Sequence, residues 1–207
     1  MAPKNKFTTE QMINAAVRVV QKNGIAALTA KAMAEELGTS TQPVFTCFGS
    51  MDAVKNEVRA AAERIYHEYS QKGLKEKTPF FGFGKQYIRF AKEEPELYKL
   101  LFLTPLPDKK NSAIEAMKHS QEIIRPSLEK IYHITAEDAD RYFRDMWLVV
   151  HSIATLIVTD ACPYSDAEIS KVLTGFSISI CKAIKEIPGF TAGTFDRDLI
   201  FQNMTEK

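Results

Sequence analysis

Residues able to do covalent or metal chemistry are few in this chain, and their spacing argues against catalysis. His67, His119, His133 and His151 show no metal-ligand spacing with Cys, Asp or Glu, and Glu63 with His67 is a common i,i+4 helix-surface pair. No Gly-x-Ser-x-Gly elbow is present, and Gly82-Phe83-Gly84-Lys85 lacks the spacing of a phosphate loop. Cys47, Cys162 and Cys181 form neither a metal nor a disulfide framework. They read as small buried hydrophobes in a reducing cytoplasm. No metal and no cofactor is expected. A small all-helical enzyme stays open as an alternative, although no constellation supports it.

The hydrogen-bonding residues are more informative. Ser40, Thr41, Gln42, Pro43, Phe45 and Thr46 form a compact group in which the amide of Gln42 can pair bidentately with adenine and Thr41 can touch a phosphate or a thymine methyl. Thr29 and Ser40 stand at helix starts, where hydroxyls and backbone amides serve as caps and can also meet phosphate oxygens. Such a group needs a helix presented at the surface, and residues 28–54 predict one. Thr29 caps a short helix whose apolar face is Ala32, Met33 and Leu37, and Gly38 ends it with a positive φ. Ser40 opens a second helix, held against the first by Val44 and Phe48. Two helices joined by so tight a turn expose the outer face of the second, the geometry that fits a major groove.

This segment resembles the helix-turn-helix of the tetracycline-repressor (TetR) family of transcriptional regulators. The likeness runs through a preceding helix over residues 9–23 closed by Gly24, then Thr29, Ala34, Gly38, Ser40, Phe45, Phe48 and Ser50 in order. It implies an N-terminal three-helix DNA-binding domain, residues 1–50, and a larger C-terminal ligand-binding and dimerisation domain, residues 51–207. The second helix, with Thr29, Ser40, Thr41, Gln42, Pro43, Phe45 and Thr46 as contacts, would lie on a double-stranded operator. Three positions depart from the pattern: Phe45 replaces a tyrosine, Cys47 a polar residue, and Met51 the lysine that usually follows the serine.

Charge fits those departures. The chain has a net charge of +1, and residues 1–60 carry seven Lys and Arg against five Asp and Glu. Phosphate neutralisation dominates non-specific affinity, so such binding is expected to be weak and to rely on a dimer. Residues 3–6 could add an arm to a neighbouring groove.

The rest of the chain also reads as helix, giving an all-α fold. No apolar run reaches membrane-spanning length, and the first residues lack the apolar core of a signal peptide, so a cytoplasmic protein is expected. Pro126 is expected to kink or split a helix over residues 111–133, and the tail from Pro188 is expected to be extended or partly disordered. A helix around residues 146–158 is apolar on most sides, and the next carries Val172, Phe176 and Ile180 at close spacing. Together they predict half of a four-helix homodimer interface that includes Ser152, Thr155, Leu156, Val172, Phe176, Ser179 and Ile180. A fully intramolecular core is the rival reading. Trp147 and His151, with the segment 95–105, resemble a TetR subgroup carrying a Trp-His-Gly pattern, with Ser152 in place of the glycine.

Aromatic residues crowd the middle helices. Most such rings are core. Even so, a pocket touching Tyr66, Tyr87, Phe90, Tyr98, Phe102, Met117, Trp147 and His151 would suit an apolar or aromatic effector with one polar contact. The reading is therefore a repressor released from its operator by that effector. Its alternative is a helical small-molecule-binding protein with a degenerate DNA-binding head.

Overall fold

The computed structural model describes residues 7–105 and 112–206, and among these there is no strand. The helices are α1 (Thr9–Asn23), α2 (Ala30–Leu37), α3 (Gln42–Phe48), α4 (Met51–Leu74), α5 (Pro79–Glu93) and α6 (Pro95–Tyr98). They continue with α7 (Ser112–Tyr132), α8 (Ala136–Val158), α9 (Asp166–Glu186) and α10 (Arg197–Thr205). None is long and apolar enough to cross a membrane. Residues 3–6, read as a possible arm, lie outside the described residues. Two compact units result: Met1–Ala116 with Ala154–Cys162, and Met117–Ile153 with Pro163–Lys207.

In the first unit local sequence sets the helix ends. Thr8 and Gln11 form a capping box on α1, each side chain bonding the other residue's backbone N–H. Thr29 caps α2 through the Ala32 N–H, and Ser50 caps α4 through that of Ala53. Gly38 takes the left-handed conformation at φ 63°, which closes α2 and turns the chain towards α3. Met12, Val20, Met33, Val44, Val54 and Val58 are buried where α1 packs on α2 and α4, and α3 on α2 and α4.

The long pairing of α4 with α5 is antiparallel and unusually close. A Cβ at Gly73 would lie 2.5 Å from the Gly82 carbonyl oxygen, so only glycine lets the backbones meet there. Gly82, whose segment lacks the spacing of a phosphate loop, therefore has a packing role. After α6 the chain widens into a π-helical turn, Lys99–Leu103, which packs on α4.

In the second unit the hydroxyls of Tyr132, Tyr142 and Ser177 form a chain, 3.2 Å and 2.5 Å apart, that ties α7 to α8 and α8 to α9. Burial pushes the Tyr142 hydroxyl above the normal phenol range, so it stays protonated. Two expectations are corrected. Pro126 does not split α7, which runs unbroken through it; its missing N–H leaves the carbonyl of Glu122, a residue facing solvent, without its helix donor. The tail is neither extended nor without helix. The Arg141 guanidinium donates to the carbonyls of Phe190 and Thr191 and covers the Phe190 ring at 4.4 Å, and Asp196 then caps α10.

Candidate functional site

Helix α3 rests on one apolar anchor. Val44 is 1% exposed, while Ser40, Thr41, Gln42, Phe45 and Thr46 are exposed and Pro43 is half-buried. Ser40 does not cap this helix, contrary to expectation. The N-cap position is Thr41, in helical conformation and without a side-chain bond, and Pro43, three residues after Ser40, has no N–H for the Ser40 hydroxyl to accept. Thr46 donates its hydroxyl to the Gln42 carbonyl within the helix. Gln42 and Thr41 thus present polar groups outward, and Thr29 keeps its hydroxyl on the α2 amides.

The cations around α3 are engaged. Arg18 and Lys22 converge on Glu36 at 2.7 and 2.8 Å, Lys31 meets Glu35 at 3.9 Å, and Lys55 meets Asp52 at 3.1 Å. Hydrogen bonds from Lys22 and then Arg18 hold the Glu36 carboxyl below the usual carboxylate range. These pairs are exposed and individually weak, so a phosphate can compete for the same cations.

A second centre lies under α4. The rings of Tyr66, Tyr87, Phe90, Tyr98 and Phe102 are in mutual contact, with centroids of neighbouring rings 5.0–6.4 Å apart. Tyr98 also meets the Thr155 hydroxyl at 3.3 Å. Burial and the neighbouring Tyr98 and Tyr66 push the Tyr87 hydroxyl well above the normal phenol range. These five rings of the expected pocket touch one another, so a guest entering among them must displace at least one. Met117, Trp147 and His151 belong to the second unit. There Trp147 and His151 stack at 4.6 Å with nearly parallel planes, and burial lowers the affinity of His151 for a proton.

Arg59 is the group the sequence reading missed. From α4 its guanidinium donates to the carbonyls of Leu100 (3.0 Å) and Leu101 (3.1 Å) in the π-helical turn, with Glu63 3.8 Å away. Seven residues further along α4, Tyr66 packs edge-on against Phe102 of the same turn at 5.1 Å. The turn carrying Phe102 is thereby pinned twice to α4, by backbone hydrogen bonds and by a ring. Helix α1 joins the same end: it packs on α6, and Gln21 donates to Glu94 at 2.8 Å.

The residues expected at a dimer face lie on α8 and α9. Leu156, Phe176, Ser152 and Ser179 are exposed, and Thr155, Val172 and Ile180 half-buried. Ser152 and Ser179 donate to carbonyls of their own helices, so neither hydroxyl requires water if an apolar surface covers it. The three cysteines are free and half-buried rather than fully buried. Among the described residues no group of three or more His, Cys, Asp or Glu could hold a metal ion.

Residues 80–173 match the family model of the tetracyclin repressor-like C-terminal domain. No curated protein sequence matches the chain. Among solved structures, a protein of unknown function from Rhodococcus sp. RHA1 is similar at 20% identity and TM-score 0.65, covering 89% of this chain and 99% of that one. A member of the TetR family from Streptomyces coelicolor A3 is similar at 19% identity and TM-score 0.58, over 84% of this chain and 98% of that one. The multidrug binding protein EbrR, complexed with imidazole, is similar at 17% identity and TM-score 0.53, over 81% and 88%. Residues 80–173 thus match the tetracyclin repressor-like C-terminal domain model, and the chain shares its fold with these solved structures.

Proposed function

We propose that this protein is a cytoplasmic, homodimeric transcriptional repressor released from a double-stranded operator by a small apolar or aromatic effector. Its division of labour is a DNA-binding domain at residues 1–50 and an effector and dimerisation domain at residues 51–207. The observation that carries the reading is α3 itself, a helix seated by Val44 that keeps Thr41 and Gln42 exposed. Such a helix can enter a major groove, with Gln42 reading adenine and Ser40 and Thr41 positioned by phosphates. The exposed apolar side chains Leu156 and Phe176 support pairing of α8 and α9 with those of a second copy.

Coupling follows from the double pin on α4. An effector that displaces Phe102 pulls on the π-helical turn, and Arg59 and Tyr66 transmit that pull to the helix that leaves the DNA-binding domain. In a dimer the two α3 helices must sit about one DNA turn, roughly 34–36 Å, or a multiple apart, so a small tilt of α4 breaks the match. The effector acts only through its higher affinity for the state in which Phe102 has moved.

A gel shift with a duplex flanking the protein's own gene tests this reading. A dimer confirmed by sedimentation should retard the duplex at low salt. A second reading, an effector-binding protein whose head no longer holds DNA, is favoured by the paired cations Arg18, Lys22, Lys31 and Lys55. No retardation at any salt concentration supports that second reading.

A further inference from the structure

Gln86 of α5 is 7% exposed, and its Oε1 is buried without a hydrogen-bond partner among the described residues. Buried amide oxygens are nearly always bonded, so an orphan one calls for a physical reason. Its place in the fold supplies one. Gly82, Gln86 and Phe90 follow at i, i+4 and i+8, which puts them on one stripe of α5. At one end of that stripe Gly82 meets the Gly73 backbone of α4, and at the other Phe90 touches Tyr66 and Tyr69 of α4. Gln86 therefore sits in the α4–α5 seam, between the glycine crossing and the ring cluster.

Two hydroxyls on the facing stretch of α4 are bonded elsewhere. Ser70, itself buried, donates to the Tyr66 carbonyl in its own helix, and the Tyr69 hydroxyl donates to Glu93. Glu93, the carboxylate two turns along α5, is engaged by Arg89 at 2.7 Å as well as by Tyr69. The seam thus offers aromatic faces and the uncharged Gln86 acceptor, while the nearby charges of Arg89 and Glu93 are paired with each other. We infer that Gln86 is the polar recognition point of the effector site and selects a neutral aromatic molecule bearing one O–H or N–H donor. Molecules lacking that donor, and anions, which an acceptor oxygen repels, are excluded. The inference rests on the ring cluster being the effector site.

Calorimetric titration of the full chain with matched pairs tests it: 2-naphthol against 2-methoxynaphthalene, indole against 1-methylindole, and 2-naphthoate as the anion. The donor-bearing member of a pair should bind about tenfold tighter, worth about 1.4 kcal/mol, and 2-naphthoate should not bind. Gln86→Leu should weaken only that member, bringing the pair within about twofold. It should also raise the unliganded Tm by about 2–4 °C, since it removes an unbonded buried oxygen. Gln86→Met, which keeps an unbranched side chain, serves if the leucine variant does not fold.

Equal affinity within each pair, discrimination that survives both substitutions, or preference for the acceptor-only or anionic probe overturns the role of Gln86 and leaves the ring cluster as the effector site. A Tm that falls in both variants makes Gln86 a structural group and overturns the proposal too. Failure of every probe to bind the unmodified protein overturns the effector-site reading along with it.

Discussion

Helices α3 and α9 both leave most of their surface uncovered, yet they expose opposite chemistry. Seven-residue α3 buries Val44 and shows solvent an amide and hydroxyls, with Phe45 as its one large apolar exception. Twenty-one-residue α9 buries only Ile169 and exposes Phe176 and Ile178 at 48% and 54%. A polar face already satisfied by water gains little from an apolar partner, whereas an uncovered apolar stripe gains from any surface that removes it from water. The contrast fits the partners proposed for the two helices: a hydrogen-bonding one such as a duplex for α3, and a second copy of the chain for α9.

The sharpest way to break that contrast is Phe176→Glu. A twofold interface would bury the new carboxylate twice, so the sedimenting mass should drop from twice the 23.3 kDa chain to once. An unchanged mass would mean that α9 is not the dimer face. Next in size is Arg59→Met, which removes two charge-assisted hydrogen bonds to the π-helical turn. It should lower stability by about 1.5–3 kcal/mol in urea unfolding and reduce the effect of an effector on DNA release. Gln42→Ala should weaken operator binding by about 1–3 kcal/mol, leaving affinity for random duplex and the dimer mass unchanged. Equal losses on both duplexes would remove base reading from α3.

The smallest effect is on pH dependence. Burial depresses the folded pKa of His151 below its ordinary 6.5, so the unfolded chain takes up the proton first as pH falls. The stability associated with neutral His151 is complete above the unfolded value and declines as pH falls through it towards the lower folded one. His151→Gln should flatten that part of a Tm-against-pH curve between about pH 7 and 5.

The helix-turn-helix was legible because its signals are local: the Thr8–Gln11 box, the Thr29 and Ser50 caps and the left-handed Gly38 each act within four residues. The ring cluster was legible as a composition of aromatic residues on neighbouring helices. That the rings touch one another, rather than leave a gap, depends on a helix spacing that only packing decides. The Ser40 cap failed because Pro43 removes its partner, a conflict between two local rules in which the missing donor wins. Helix α10 was missed because its Asp196 cap stands next to a Gly- and Thr-rich turn, and that turn is held in place by Arg141 from far away in sequence. The roles of Arg59 and Gln86 were illegible for the same reason. Both depend on which backbone or side-chain atoms come within 3 Å after folding.

The most direct measurement is selection of duplexes from a random pool by the dimeric protein at low salt. The expected result is enrichment of a pseudo-palindrome whose half-sites lie about one helical turn or a multiple apart, with the enrichment lost for Gln42→Ala. A pool that stays random under conditions where the protein is a folded dimer would contradict DNA recognition by α3.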